Sequence, residues 1–230
     1  EIVTRFAFED ALLLDARGNV VYSAYKNVDL GTNILNGPYS SSKLRDSYLE
    51  AMQSNKADRV SLTDFEFYQP ATMAPTAWMV APIPPGGKAD GVLALQFPIT
   101  KINKIMTFDR KWQESGMGAT GETILAGEDF LMRSDSRLFL EDPDRYRQLV
   151  IDSGTPPDIP DIAIRQGGTT LVQPVNEKVN KEAQKELSGY LIAKDYLGQE
   201  TLQAYAPVRG RFAPNIRWSI VAKVTTAEAF

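Results

Sequence analysis

Two apolar runs of strand length, Ala11 to Ala16 (ALLLDA) and Val20 to Tyr25 (VVYSAY), flank the tetrapeptide Ala16-Arg17-Gly18-Asn19. Gly and Asn tolerate the positive φ of a tight turn, so this pattern predicts a β-hairpin. Lys26 to Tyr39 has no periodicity and is punctuated by Gly31, Gly37 and Pro38, which reads as irregular chain. Leu44, Tyr48, Leu49 and Met52 then recur at helical spacing behind Ser40 to Ser42, whose hydroxyls can cap a helix running to about Ser54. Three further strands are predicted over Arg59–Tyr68, Thr76–Ile83 and Gly91–Phe97, the last two joined by a turn at Pro84-Pro85-Gly86-Gly87. A short amphipathic helix follows at Ile99–Met106.

Beyond Arg110 the pattern restarts. Glu122–Ala126 and Phe130–Arg133 read as a second hairpin, followed by a helix over Asp144–Asp152 and a Pro-rich stretch, Thr155–Pro160. Thr169–Gln173 reads as a short extra strand and Lys178–Leu187 as a helix closed by Gly189. Strands are predicted at Tyr190–Tyr196, Thr201–Val208 and Arg217–Val224. Ala81-Pro82-Ile83 matches Ala206-Pro207-Val208, and Ile99-Thr100 matches Val224-Thr225, at one spacing of about 125 residues. A strand with a proline, a second strand and a helix thus recur. The expectation is an α+β chain of two PAS-like modules, each a central antiparallel sheet of about five strands flanked by helices.

Composition changes the functional picture more than the structural one. A hydrophobic fraction of 43% supplies a core, so the chain is globular. The net charge is −4 and the basic residues are scattered between acids, which argues against nucleic acid as a partner. There is no His, hence no Ser-His pair and none of the commonest general bases or metal ligands. There is no Cys, hence no thiolate metal site and no thiol nucleophile. Catalysis would have to rest on carboxylates, Lys or Tyr, and no motif ties Asp64, Glu66 and Asp135 into a facing pair. The expectation is no enzyme, no cofactor and no metal. No apolar run approaches the ~20 residues that span a bilayer. The chain enters a strand almost at once and ends where a helix begins, at Thr225–Phe230, which reads as a soluble segment excised from a longer protein.

Three motifs need weighing. Gly116-Met-Gly-Ala-Thr-Gly121 fits a dinucleotide fingerprint, but neither a strand before it nor a helix after it is predicted, so it reads as a junction. Arg133-Ser-Asp-Ser-Arg137 has no His to complete a nucleophile and reads as a hydrogen-bonded loop anchor. Asp142-Pro-Asp144 offers too few oxygens for Ca²⁺. Tyr39, Asp64, Tyr68 and Trp78 are different: in a PAS-like sheet they fall on the covering loop and on the third and fourth strands, around one pocket. Aromatic walls with a few placed polar groups line small-ligand sites, although a plain core also buries such rings.

The runs Leu14-Asp-Ala-Arg-Gly-Asn-Val-Val-Tyr-Ser23, Lys26, Asp29, Gly31-Thr-Asn33 and Gly37-Pro-Tyr39 resemble the double Cache sensor family. So do Thr63–Pro70, Gly91–Pro98, Gly118–Thr123 and Met132–Arg137, and the likeness is greatest to the versions in bacterial adenylate/guanylate cyclases, with related ones in chemoreceptors and histidine kinases. The resemblance implies an extracytoplasmic sensor, periplasmic or at the cell surface, of a membrane-anchored receptor that is a homodimer when full length. It implies a membrane-distal module over 1–108, most of whose long N-terminal helix is missing here, and a proximal module over 109–230. Ligand would bind the distal module at Tyr39, Asp64, Tyr68, Trp78 and Gln96. Amino-acid-binding members carry an Arg-x-Trp-Tyr element and strand aspartates; this chain lacks the former and has Pro70 and Gln96 about where the acids would stand. That points away from an amino acid and toward a small neutral or anionic solute of unknown identity. A sensor-like module that relays contact with a partner protein is the alternative.

Overall fold

A computed structural model describes all residues except 1, 55–58, 84–88, 176–177, 211–212 and 214–215. The chain divides into two compact units, one comprising Glu1–Ile99 with Gly210–Ile216, the other Thr100–Arg209 with Arg217–Phe230.

The first unit opens with a single turn of helix, α1 (Ile2–Phe6), and the hairpin β1 (Ala11–Asp15) and β2 (Val20–Ser23). Helix α2 (Lys43–Gln53) follows, then β3 (Ser61–Leu62), β4 (Glu66–Tyr68), β5 (Ala74–Ile83) and β6 (Gly91–Phe97). All pairings are antiparallel, in the order β2-β1-β6-β5-β3, with β4 also paired to β5. The hairpin turn is held by Asp15, whose carboxylate accepts from the Arg17 and Asn19 amides, with Gly18 at φ +82°. The single strand expected over Arg59–Tyr68 is instead two. The Thr63 amide still donates to the Trp78 carbonyl (2.9 Å), but the return bond from the Trp78 amide goes to the Thr63 hydroxyl (2.9 Å) and Asp64 accepts the Phe65 amide (2.7 Å), so side chains end the ladder there. The expected turn at Pro84–Gly87 lies outside the described residues.

Alternation along β1, β5 and β6 turns Leu12, Leu14, Trp78, Val80, Val92 and Ala94 to one face. Leu44, Tyr48 and Ala51 of α2 close over that face, and the Tyr48 hydroxyl donates to the Asp15 carbonyl (2.9 Å).

The second unit takes in α3 (Ile99–Met106), apart from Ile99, then β7 (Glu122–Ala126), α4 (Arg137–Glu141), α5 (Pro143–Asp152), α6 (Asp158–Gln166), α7 (Lys178–Gln184), β8 (Gly189–Lys194), β9 (Glu200–Val208), β10 (Trp218–Thr225) and α8 (Thr226–Ala229). Its antiparallel sheet has four strands in the order β7-β10-β9-β8. The strand expected at Phe130–Arg133 is reduced to isolated bridges, Ala126↔Met132 and Leu131↔Pro174. Phe130 is left-handed (φ +59°), and the segment divides its hydrogen bonds between β7 and the 171–175 region, so neither side builds a ladder. Thr169–Gln173 is likewise turn and not strand, with Leu171 left-handed. The Pro-rich stretch starts α6: Pro160 lies in the first turn, where an amide donor would lack an intrahelical partner anyway.

The 125-residue correspondence has a structural counterpart. Pro82 lies across from Val92 and Pro207 across from Ser219, each near the end of the penultimate strand. The registered pairs of the strand on the other side stop at Val80 and Tyr205, so the missing proline donor costs no ladder bond there. The second core gathers Ile124, Met132, Phe139, Tyr146, Val150 and Tyr196, none shared with the first. Among the described residues no helix is long and apolar enough to cross a membrane.

Candidate functional site

At the Gln96 end of the first sheet the covered face changes from apolar to polar. Trp78 on β5 lies directly across from Gln96 on β6, and both are buried. The Gln96 side-chain amide donates to Glu9 (3.2 Å) and Thr76 (3.4 Å). Its backbone amide donates to the Asp10 carbonyl (2.8 Å). Tyr68, at the end of β4, meets the Trp78 ring edge-on at 5.3 Å, and Tyr39 lies 6.0 Å from Tyr68, tilted. The structure therefore brings Tyr39, Tyr68, Trp78 and Gln96 together. Their rings also belong to the core beneath α2, so one cluster carries both packing and polar function.

Asp64 stands apart from this group. Its carboxylate lies 3.5 Å from Lys43 Nζ at the start of α2, while Glu66 accepts the Lys43 backbone amide (2.7 Å). Negative charge at a helix N-terminus is stabilising, so these two acids serve to seat α2. Burial pushes the Glu66 carboxyl above its ordinary range.

Two aspartates that sequence reasoning did not place in the site complete it. Asp10 accepts from the Ala11 amide (2.7 Å), Ser23 hydroxyl (3.1 Å) and Asn27 side chain (3.1 Å). Asp29 accepts the Tyr68 hydroxyl through Oδ2 (3.1 Å), while its Oδ1 is buried without a hydrogen-bond partner. Both carboxylates are 1% exposed, and neither forms an ion pair among the described residues. Burial raises the Asp29 carboxyl, the Tyr68 hydrogen bond opposes that, the charge of Asp10 raises it further, and the nearby Asp29 and Leu30 backbone amides offset part of the rise. Burial and Asp29 together raise the Tyr68 phenol. Trp78 Nε1 is a second buried polar atom without a partner. For Asp10 a signal was available, since period-two spacing puts it on the buried face with Leu12 and Leu14. Asp29 lies in irregular chain, where no periodicity assigns a side chain to a face.

The other motifs resolve as structure. The Gly116–Gly121 run is a turn leading into β7, with no helix after it to receive a pyrophosphate. Asp135 anchors loops: it accepts from the Thr169 (2.8 Å) and Thr170 (3.1 Å) amides and from Asn103 (2.6 Å). Asp142 caps α5 through the Arg145 amide (3.0 Å). No group of three or more acidic residues placed to hold a metal occurs among the described residues.

Solved structures share this architecture over the full chain. The ligand-binding domain of the Pseudomonas fluorescens chemoreceptor CtaA, in complex with L-leucine, superposes with a TM-score of 0.57 at 14% identity, covering 100% of this chain and 76% of that one. The Pseudomonas aeruginosa PAO1 amino acid chemoreceptor PctB, in complex with L-Arg, gives 0.58 at 16% identity with the same coverage. The extracellular domain attributed to a histidine kinase, rpHK1S-Z16, gives 0.60 at 13% identity, covering 99% and 75%. The chain shares the fold of these domains, α+β with antiparallel sheets flanked by helices, the fold that its resemblance to double Cache sequences implied. No protein-family model and no curated protein matches the chain. Within this fold the second sheet is the smaller, four strands where about five were expected, because Phe130–Met132 bridges without forming a strand.

Proposed function

We propose that this chain is the extracytoplasmic sensor region of a bacterial membrane receptor, and that its first unit binds a small solute carrying a protonated amino group. In this reading the first unit, which carries most of the module expected over 1–108, is membrane-distal, the second, which carries most of that expected over 109–230, is membrane-proximal, and the whole receptor is a homodimer. The observation that carries the ligand assignment is Asp29 Oδ1, buried without a hydrogen-bond partner while Oδ2 takes the Tyr68 hydroxyl, with the Asp10 carboxylate near enough to raise the Asp29 carboxyl. An ionised carboxylate taken out of water is costly unless a cation or donors compensate it. An ammonium group supplies both charge and donors, and aromatic faces favour it further. Trp78 Nε1 offers one donor to an acceptor elsewhere on the solute. Of the neutral or anionic solute to which the sequence pointed, the two buried carboxylates count against the anionic kind. Two of the solved domains described above were captured with L-leucine and L-Arg, which carry such a group.

Ligand that binds only the folded state stabilises it by about 2.7 kcal/mol at 100 times its dissociation constant. Thermal unfolding against small amines, amino acids, carboxylates and sugars is expected to show a saturable shift for amine-bearing solutes. Asp29→Asn should remove it while the fold persists. A shift with simple carboxylates alone would refute the ammonium assignment. No shift with any solute class would turn the reading to contact with a partner protein.

A further inference from the structure

The second unit contains a carboxylate site that the chain fills for itself. The turn at Gly118–Thr120, immediately before β7, presents two backbone amides and a hydroxyl in one direction. The Ala119 amide donates to Glu228 Oε1 (2.7 Å), and the Thr120 amide to Oε2 (2.8 Å). The Thr120 hydroxyl also binds Oε2 and lies 3.0 Å from the Thr225 hydroxyl. These donors, with the positive charge of Arg137, hold the Glu228 carboxyl below the ordinary range. Successive amides aimed at one point form an anion-binding nest. Gly118 has φ +57°, and a Cβ there would meet the Glu228 carboxylate at 2.0 Å, so side-chain space has been given up to the anion.

Arg137 holds the turn from behind. Its Nη1 donates to the carbonyls of Gly118 (3.1 Å) and Gly121 (2.7 Å), its Nε to Glu141 (2.9 Å), and its guanidinium lies 4.8 Å from the Trp112 ring centroid. The Gly118 carbonyl shares its peptide plane with the Ala119 amide, so the Arg137 bond orients that amide outward independently of any anion, while the bond to Gly121 anchors the far end of the turn. The nest is thus built by a nearly buried cation and filled by an exposed side chain of the four-residue α8.

We infer that the Gly118–Thr120 turn is a preformed site for small carboxylates, with Glu228 as its resident occupant, so that α8 docks by competing with free carboxylate for the nest. Acetate is the probe. In Glu228→Ala, acetate titrated against chloride at constant ionic strength is expected to shift the Ala119 and Thr120 amide resonances saturably. In the parent chain those resonances should need about tenfold more acetate, since acetate must first displace the tethered Glu228 carboxylate, and tenfold corresponds to about 1.4 kcal/mol. Hydrogen exchange of α8 should quicken in the variant and stay fast when acetate is added. Unchanged resonances of β7 and β10 certify the fold, and Glu228→Gln, which keeps the shape but not the charge, should fall between the two. The inference is overturned if acetate moves neither amide in Glu228→Ala, or moves them equally in the parent chain.

Discussion

Tyr68 donates its only hydroxyl proton to one oxygen of Asp29 and leaves the other oxygen bare. Tyr68→Phe removes that donor and should cost about 1–3 kcal/mol at neutral pH, read by urea denaturation. The sign of the pH effect follows from Asp29, whose folded value is raised above the ordinary 3.8. The native state holds that proton more tightly than the unfolded chain, so stability falls as pH rises from 3.8 through the raised value. Losing the tyrosine raises the value further, and the deficit of Tyr68→Phe should therefore be smaller at pH 4 than at pH 7. Affinity for an amine has the opposite dependence: it should weaken as pH falls through the raised Asp29 value, because the protonated carboxyl no longer attracts the cation. Calorimetric titration across that range checks this. The residue scale is where the sequence was least legible. Tyr68 and Trp78 were placed by strand position and Gln96 by the family resemblance, but the Asp29 carboxylate that binds the Tyr68 hydroxyl comes from an aperiodic loop. Asp64, equally prominent in the sequence, is drawn to Lys43 and the start of α2.

Elements were read well where one pattern served one neighbour. The first hairpin, α2, β5, β6 and α3 follow from periodicity and punctuation, and their observed ends lie close to the expected ones. Readings failed where a side chain or a second partner claimed the backbone: at Thr63–Asp64, which breaks a strand in two, and at Phe130–Met132, divided between two neighbours. No local pattern encodes that competition. The β1–β6 pairing offers a test at this scale. A Cβ on Gly91 would lie 2.4 Å from the Leu14 carbonyl oxygen, in backbone that cannot yield without parting the strands. Gly91→Ala is expected to destabilise the chain by about 1–3 kcal/mol, with faster hydrogen exchange at the Leu14–Val92 end of the ladder than at Ala11–Leu95.

For the whole molecule, the 125-residue echo and the ordered motifs announced two modules of one architecture, while the unequal strand numbers followed from the local competition just described. Each unit keeps its own core, and each buries charge differently. The second holds Lys223 in contact with both Glu122 (2.9 Å) and Asp195, with Tyr196 donating to Glu122 (3.0 Å). Burial opposes charge on Lys223, but the two carboxylates outweigh it and raise its affinity for the proton. Lys223→Met strands two buried carboxylates and should cost about 3–5 kcal/mol, an uncompensated charge being the expensive case. Because the cores share no residue, hydrogen exchange is expected to show β7 and β10 losing protection while β1 and β6 keep theirs. The placement of the tryptophans has an optical consequence. Trp78 sits edge-on to Tyr68, whose hydroxyl binds Asp29, and Trp112 lies under the guanidinium that braces the Gly118–Thr120 turn. With Trp218 replaced by Phe, the chain would carry one native fluorophore per unit. Emission from a Trp112→Phe or a Trp78→Phe partner variant would then report each site separately, in an unlabelled protein.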